Sequence, residues 1–317
     1  MSAECLPADF EGLRAPVVVA CSGGADSIGL LVLASDAGLA PVAVHVDHGL
    51  RPDSADDARV VATAADALGV PWQSVRVELA PGGNLEARAR TERYRVLQDA
   101  REQLGASAIL VAHTADDQAE TVVLNLLRGS ASAGLAGMAD RRGFIARPVL
   151  RVRRAALRTV ASTRGLPVVD DPTNADTRWR RAWIRHEVLP MLEHGAQRDL
   201  VPVLARQADV FRSESDFLDE LGDELLAHAV ADVTAKGPNV ENPSVGGPGV
   251  HALRAAPVVV TRRALRRWLG GPPPSADEVE RVLAIVRGDR VACELAGGRR
   301  VSRVGGRLQL ERARQLP

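Results

Sequence analysis

Lysine is almost missing: Lys236 is the only one in 317 residues, and arginine carries the rest of the basic charge. Lys236 lies in Thr234–Gly249, a Gly-, Pro- and Asn-rich stretch that reads as a linker or long loop. A catalytic lysine of the chain's own is therefore not expected. Cysteine is scarce as well. Cys5, Cys21 and Cys293 are scattered and form no C-x-x-C pair. That excludes a zinc knuckle, an iron–sulfur cluster and a disulfide scaffold. No apolar run is long enough to cross a bilayer. The start, Met1–Phe10, holds acids and a proline in place of a basic residue followed by an apolar stretch. No secretion signal is expected, and the cytoplasm is the expected compartment. Excess charge is absent too: the formal net charge is +0. The whole-chain balance thus gives no sign of nucleic-acid binding.

The charge is unevenly spread, however. Arg141, Arg142, Arg147, Arg151, Arg153, Arg154 and Arg158 follow one another with no acid between them, whereas Asp209–Glu224 is acid-rich. Such a basic stretch can hold phosphates even when the total cancels, or form a solvated arginine face.

Short β-branched runs alternate with helical patterns through the first half. Strands are predicted at Pro16–Ala20, Pro41–Val46, Trp72–Glu78 and Ser107–Ala112. Helices are predicted at Ala25–Ala37, Asp53–Leu68, Asn84–Leu104 and Ala115–Leu127, the third with Leu85, Tyr94, Leu97 and Leu104 among its apolar positions. This rhythm implies an α/β fold, a parallel sheet covered on both faces. Ligands of such sheets bind beyond the carboxyl ends of the strands. Arg128–Gly143 is a Gly-rich connection, and Arg151–Arg164 and Arg178–Leu192 read as helical, with Val168–Val169 extended between them. Asp199–Ala231 is a long helical stretch. Val250–Pro317 combines helices at Thr261–Leu269 and Ala276–Arg287 with short extended pieces and a Gly305–Gly306 turn, a small α+β unit.

Ser22-Gly23-Gly24-Ala25-Asp26-Ser27 follows the first predicted strand and opens the first helix. Glycine lets backbone approach a ligand closely. Free N–H groups and the helix dipole favour a phosphate at that helix start. Ser22 and Ser27 can add hydroxyl donors. Asp26 belongs beside phosphates only if it holds a magnesium ion. The motif is neither a Walker A loop nor G-x-G-x-x-G. Ser-Gly-Gly-x-Asp-Ser in this position resembles the pyrophosphatase loop of the ATP-pyrophosphatase (PP-loop) superfamily, whose members cleave ATP between the α and β phosphates and adenylate a carbonyl oxygen.

Further blocks narrow the resemblance. They are His45-Val46-Asp47-His48-Gly49-Leu50-Arg51, Asn84–Arg90 with Arg93-Tyr94, and Ala112–Thr121. Arg128-Gly129-Ser130, Gly134-Leu135, Gly137-Met138, Arg147-Pro148-Val149-Leu150, Asp171–Asp176 and Ile184-Arg185-His186 continue the series. In this order they resemble the tRNA(Ile)-lysidine synthetase family over roughly residues 1–190. The family usually has Arg-Asn-x-Ile-Arg where this chain reads Arg181-Ala182-Trp183-Ile184-Arg185. Arg181 and Arg185 keep the i, i+4 spacing of one helix face.

The resemblance implies an adenine nucleotide alpha hydrolase-like, Rossmann-like domain at residues 1–195, which binds ATP and carries catalysis. A helical connector and smaller α+β tRNA-binding domain would occupy residues 196–317. It implies adenylation of C2 of the wobble cytidine in tRNA(Ile) with a CAU anticodon, then attack by free L-lysine. Lysidine, AMP and diphosphate are the products. Ser22, Gly23, Gly24, Ala25, Asp26 and Ser27 would hold ATP. Asp117 and Glu120, three apart at a helix start, would orient magnesium or the lysine ammonium. His113 would line the same pocket, and Asp26 with Asp117 would hold Mg²⁺. Arg147, Arg181 and Arg185 would meet phosphates of ATP or tRNA. His45, Asp47 and His48 suggest metal ligation at first sight, but without a further ligand cluster a nucleotide pocket is the better reading. A homodimer is allowed for, and no membrane partner is expected. The rival readings are a tRNA-thiolating enzyme on the same fold, a small-molecule amidating enzyme, and a tRNA-binding relative without catalysis.

Overall fold

A computed structural model of the chain describes residues 6–49, 54–79, 82–170, 176–231, 247–271 and 273–312. Leu50 and Arg51, the Asp171–Ala175 part of the Asp171–Asp176 block, and residues 234–246 with Lys236 lie outside the described residues. The chain divides into two compact units, Met1–Arg212 and Ser213–Pro317.

In the first unit the strands are β1 (Val17–Ala20), β2 (Pro41–Asp47), β3 (Trp72–Arg76), β4 (Ile109–Leu110), β5 (Arg141–Arg142) and β6 (Ile145–Ala146). The helices are α1 (Ala25–Asp36), α2 (Ser54–Leu68), α3 (Leu85–Gln103), α4 (Ala115–Leu127), α5 (Ser132–Leu135), α6 (Arg154–Thr163), α7 (Arg180–Trp183) and α8 (Leu189–Ala196). A π-helical turn, Ile184–Val188, joins α7 to α8. The long α9 spans Val201–Ala231. The six-stranded sheet has the order β3-β2-β1-β4-β6-β5. All its pairings are parallel except that of β5 with β6. The α/β expectation therefore stands, and the Gly-rich connection adds an edge hairpin that its turn residues hid.

Composition explains the layering. Val17, Val18 and Val19 are all fully buried, as a central strand covered on both faces requires. One face packs Val17 and Val19 with Ile28 and Leu31 of α1, Val61 of α2 and Leu157 of α6. The other packs Val18, Val44, Ile109 and Val111 with Leu97 and Ala100 of α3. Leu85 and Leu104, expected on the apolar face of α3, are instead exposed, because they sit at the helix ends beyond the sheet. Strand order reverses between β1 and β4, since β1 leads outward to β2 and β3 whereas β4 lies on the other side. At such a reversal the loops after the two strands diverge and leave a crevice. The Ser22–Ser27 loop and the His113–Glu120 segment follow those two strands.

The second unit holds α10 (Val250–Ala255), α11 (Val258–Leu269), α12 (Ala276–Arg287) and an antiparallel sheet of β7 (Ala292–Leu295), β8 (Arg299–Val304) and β9 (Arg307–Arg312). Its core includes Leu253, Leu265, Val282, Ile285, Val301 and Leu308. A Ser275/Glu278 capping box starts α12 and left-handed Gly288 stops it, so the predicted Ala276–Arg287 bounds are met. Among the described residues no helix is long and apolar enough to cross a membrane.

Candidate active site

The two loops at the reversal have opposite helix starts. The N-cap of α1 is Gly24, which provides no side-chain cap. Its first-turn N–H groups are left for an anion. The neighbouring hydroxyls are arranged around it: Ser27 Oγ donates to the Gly24 carbonyl at 2.9 Å, and Ser22 and Ser27 hydroxyls lie 3.3 Å apart. Gly23 has φ +85°, and a Cβ there would stand 2.8 Å from Val169 Cγ2. Val169 reaches the loop as an extended residue, its N–H donating to the Gly23 carbonyl at 2.9 Å. Cys21 is buried, and burial pushes its thiol above the ordinary value, which suits a packing residue better than a nucleophile.

The start of α4 is filled by its own side chains. Thr114 and Asp117 form a capping box in which Asp117 Oδ2 accepts from the Thr114 N–H at 2.9 Å and from its hydroxyl at 2.8 Å. Burial pushes the Asp117 carboxyl up, but Arg154 and the Thr114 donors outweigh it and hold it below the usual range. Asp117 is thus an oriented, ionised carboxylate.

Arg154, the first residue of α6, stands among the acids. It donates to Asp26 Oδ2 at 3.3 Å, to Asp117 Oδ1 at 2.8 Å and to Glu120 Oε1 at 3.2 Å. Glu120 is fully buried and also takes a two-pronged contact from Arg185, at 2.7 and 3.2 Å. Arg185 lies in the π-helical turn, and Arg181 one turn earlier donates to Thr121 Oγ1 at 2.8 Å. The spacing of four residues therefore does aim both arginines at α4. Ala119 and Val123 of α4 pack there against Ile184 and Val188.

These groups surround a cavity of about 760 Å³, whose lining includes Ser22, Asp26, His113, Asp117, Arg154 and Arg185. Glu120, Arg147 and Arg181 are not part of that lining: Glu120 accepts from Arg154 and Arg185, Arg147 donates to His113, and Arg181 donates to Thr121. Arg147 is buried, donating from Nε to His113 Nδ1 at 3.2 Å and from Nη1 to the Ala139 carbonyl at 2.7 Å. Burial lowers the His113 pKa to about 4, with Arg147, Arg181 and Arg90 opposing its protonation and Asp117 favouring it. Asp26 goes the other way: burial raises it against the pull of Arg154. Its Oδ1 is buried and has no hydrogen-bond partner among the described residues. That orphaned oxygen fits a cation or a ligand proton.

His45, Asp47 and His48 diverge. His45 Nδ1 pairs with the Cys21 carbonyl at 3.0 Å, Asp47 accepts from the Gly49 N–H at 2.8 Å, and His48 Nε2 accepts from Arg93 at 3.3 Å. Among the described residues no group of three or more His, Cys, Asp or Glu could hold a metal ion. The residue that sequence reasoning passed over is Arg154. Its signal was the acid-free arginine run, but only the phase of α6 shows which arginine turns inward.

Fold and site together define a PP-loop protein, and the family model described as a PP-loop domain matches residues 10–192. The chain is 40% identical to the tRNA(Ile)-lysidine synthase of Rhodococcus erythropolis, covering 84% of this chain and 78% of that one. It is 41% identical to that of Salinispora tropica, over 92% and 90% of the two chains. Against that of Thermus thermophilus it is 39% identical, over 93% of this chain but 56% of the relative. The chain belongs to the tRNA(Ile)-lysidine synthase family. Among solved structures, a U34-tRNA thiolase from Methanococcus maripaludis shares the fold, with a TM-score of 0.54 at 16% identity over 65% of this chain and 75% of that one.

Proposed function

We propose that this chain joins free lysine to C2 of the wobble cytidine of tRNA(Ile) with a CAU anticodon, through an adenylated tRNA and with release of diphosphate and then AMP. The observation that carries the reading is the convergence of the Ser22–Ser27 loop and Asp117 on one cavity, in a chain of this family. The open start of α1, with Ser22, Gly23, Gly24, Ala25 and Ser27, would receive the triphosphate. Oδ1 of Asp26, without a hydrogen-bond partner among the described residues, fits a magnesium ion, which keeps most of its shell as water and phosphate oxygens. Bound there, it would neutralise charge on the departing diphosphate.

Asp117 would orient the magnesium or the lysine ammonium, and Glu120 would fix Arg154 and Arg185 around it. Arg181 and Arg185 would meet phosphates of ATP or tRNA only by loosening their present contacts with Thr121 and Glu120. The residues 196–317 are proposed to bind tRNA, the cytoplasm is the proposed compartment, and a homodimer is an expectation that sedimentation of the purified chain tests.

Reconstitution provides the functional test. The purified chain, ATP, magnesium, radiolabelled lysine and a CAU-anticodon tRNA(Ile) should yield labelled RNA with AMP and diphosphate. ATP cleavage without lysine transfer would retain the adenylating chemistry and move the substrate. Neither signal from a folded, ATP-binding sample would remove the enzymatic reading.

A further inference from the structure

His113 Nδ1 meets Arg147 Nε at 3.2 Å. A guanidinium carries only donors, so the direction of this hydrogen bond is fixed. Nδ1 accepts and bears no proton. A neutral imidazole then has its proton on Nε2. Arg147 is held in place by its second bond, to the Ala139 carbonyl at 2.7 Å, and is itself buried. His113 lines the cavity, and with Nδ1 engaged by Arg147, Nε2 is the ring nitrogen that remains to meet a ligand.

We infer that Arg147 is a positioning residue that locks His113 as the Nε2–H tautomer, and that His113 serves the reaction as a hydrogen-bond donor to a substrate oxygen and not as a general base.

Two independent features of the pocket rule out a base. A base needs a lone pair facing the proton it removes, and the only lone pair of this ring is turned to Arg147. The surroundings also oppose an imidazolium: burial comes first, then the positive charges of Arg147 after β6, Arg181 on α7 and Arg90 on α3, against Asp117 on α4. A neutral N–H fixed in a partly closed cavity stabilises an oxygen that gains negative charge, without reorganising when it does so. In the proposed reaction such oxygens are those of the α-phosphate during adenylate transfer, or of the activated base.

Only the kinetic arm of the test rests on the lysidine-forming reading. First, the full chain labelled with ¹⁵N in its imidazoles, without ligand, should show His113 wholly as neutral Nε2–H at pH 7, its signal assigned by loss in His113→Gln. In Arg147→Met an Nδ1–H population should appear. A wild-type His113 protonated on Nδ1, or unchanged tautomers in Arg147→Met, overturns the lock. Second, His113→Gln keeps an N–H donor near the same point and His113→Ala does not. Gln should stay within about 10-fold of the wild-type kcat, while Ala falls by about 10²–10³-fold, the usual loss of one such donor. Equal loss in both variants restores the base and overturns the donor role. Absence of lysine transfer in the wild type would instead defeat the functional reading, leaving the tautomer to be decided by the spectrum.

Discussion

Arg154 Nη2 donates to Asp117 Oδ1 at 2.8 Å, and the same nitrogen reaches Glu120 Oε1 at 3.2 Å. The side chains of Arg154 and Asp117 are each 13% exposed and that of Glu120 only 1%. Burial works against the Arg154 charge, but Asp117, Glu120 and Asp26 together raise its pKa above the ordinary arginine value. One guanidinium therefore ties the loop after β1 to the helix after β4. Arg154→Leu strands several carboxylates in a poorly solvated wall. Breaking buried pairs in this way costs about 3–5 kcal/mol. Urea unfolding should show a loss of that size, with partial recovery in Arg154→Lys. A variant as stable as wild type would mean that the acids find other partners.

Asp117→Asn should keep the fold and lose activity by roughly 10²–10³-fold, the scale of one charged or oriented group in a preorganised site. The pH dependence of stability separates the charge from the cap. The folded pKa of Asp117 lies below the ordinary carboxylate value. Its stabilisation is thus fully present above the unfolded value near ~3.9 and is lost as pH falls through the lower folded value. Melting curves from pH 3 to 7 should show wild type ahead of Asp117→Asn at neutral pH, with the gap closing below about pH 4. A gap independent of pH would point to packing in place of charge.

Asp26 offers the contrary case on the same wall. Its pKa is raised, burial being the largest cause. The native state therefore takes up a proton before the unfolded chain does, and the ionised group weakens the fold at neutral pH. Asp26→Asn should melt no lower than wild type while turning over little or no ATP. Such trade-offs mark groups kept for function. AMP and diphosphate release from MgATP at fixed free magnesium, beside a thermal melt, checks both halves. A destabilised Asp26→Asn would show that its bond to Arg154 outweighs burial.

Much of the first unit was legible because hydrophobic period and turn residues agree there. Ala115–Leu127 was bounded correctly since Thr114 and Asp117 form its capping box. Val17–Val19 read as a buried strand because only a covered central position accepts such a run. The β5–β6 hairpin was not legible. Its strands are Arg141–Arg142 and Ile145–Ala146, too short to show alternation. The site was visible as two blocks of residues, but the partner that joins them was not. Arg154 is one of several arginines in an acid-free run, and its inward turn depends on how α6 packs on α1 through Leu157 and Gly29. Ala182, a departure from the family pattern, is buried within α7 next to Arg181, just ahead of the π-helical turn that carries Arg185.

Gly23 sets the most local demand on sequence. Its φ is +85°, and an added Cβ would lie 2.8 Å from Val169 Cγ2, well inside van der Waals contact. Gly23→Ala thus meets backbone strain and a clash together, each costing on the order of 1–3 kcal/mol. Relief can come from the loop moving off Val169, which breaks the Val169 N–H bond to the Gly23 carbonyl. Either response displaces the N–H groups at the start of α1. MgATP affinity should fall at least about tenfold, equivalent to ~1.4 kcal/mol. Val169→Ala alone leaves the φ requirement in place. The double variant Gly23→Ala/Val169→Ala should therefore regain the part of the loss due to the clash and keep the part due to φ. Full recovery of MgATP binding in the double variant would assign the whole effect to Val169, and no recovery would assign it to the left-handed backbone of the loop.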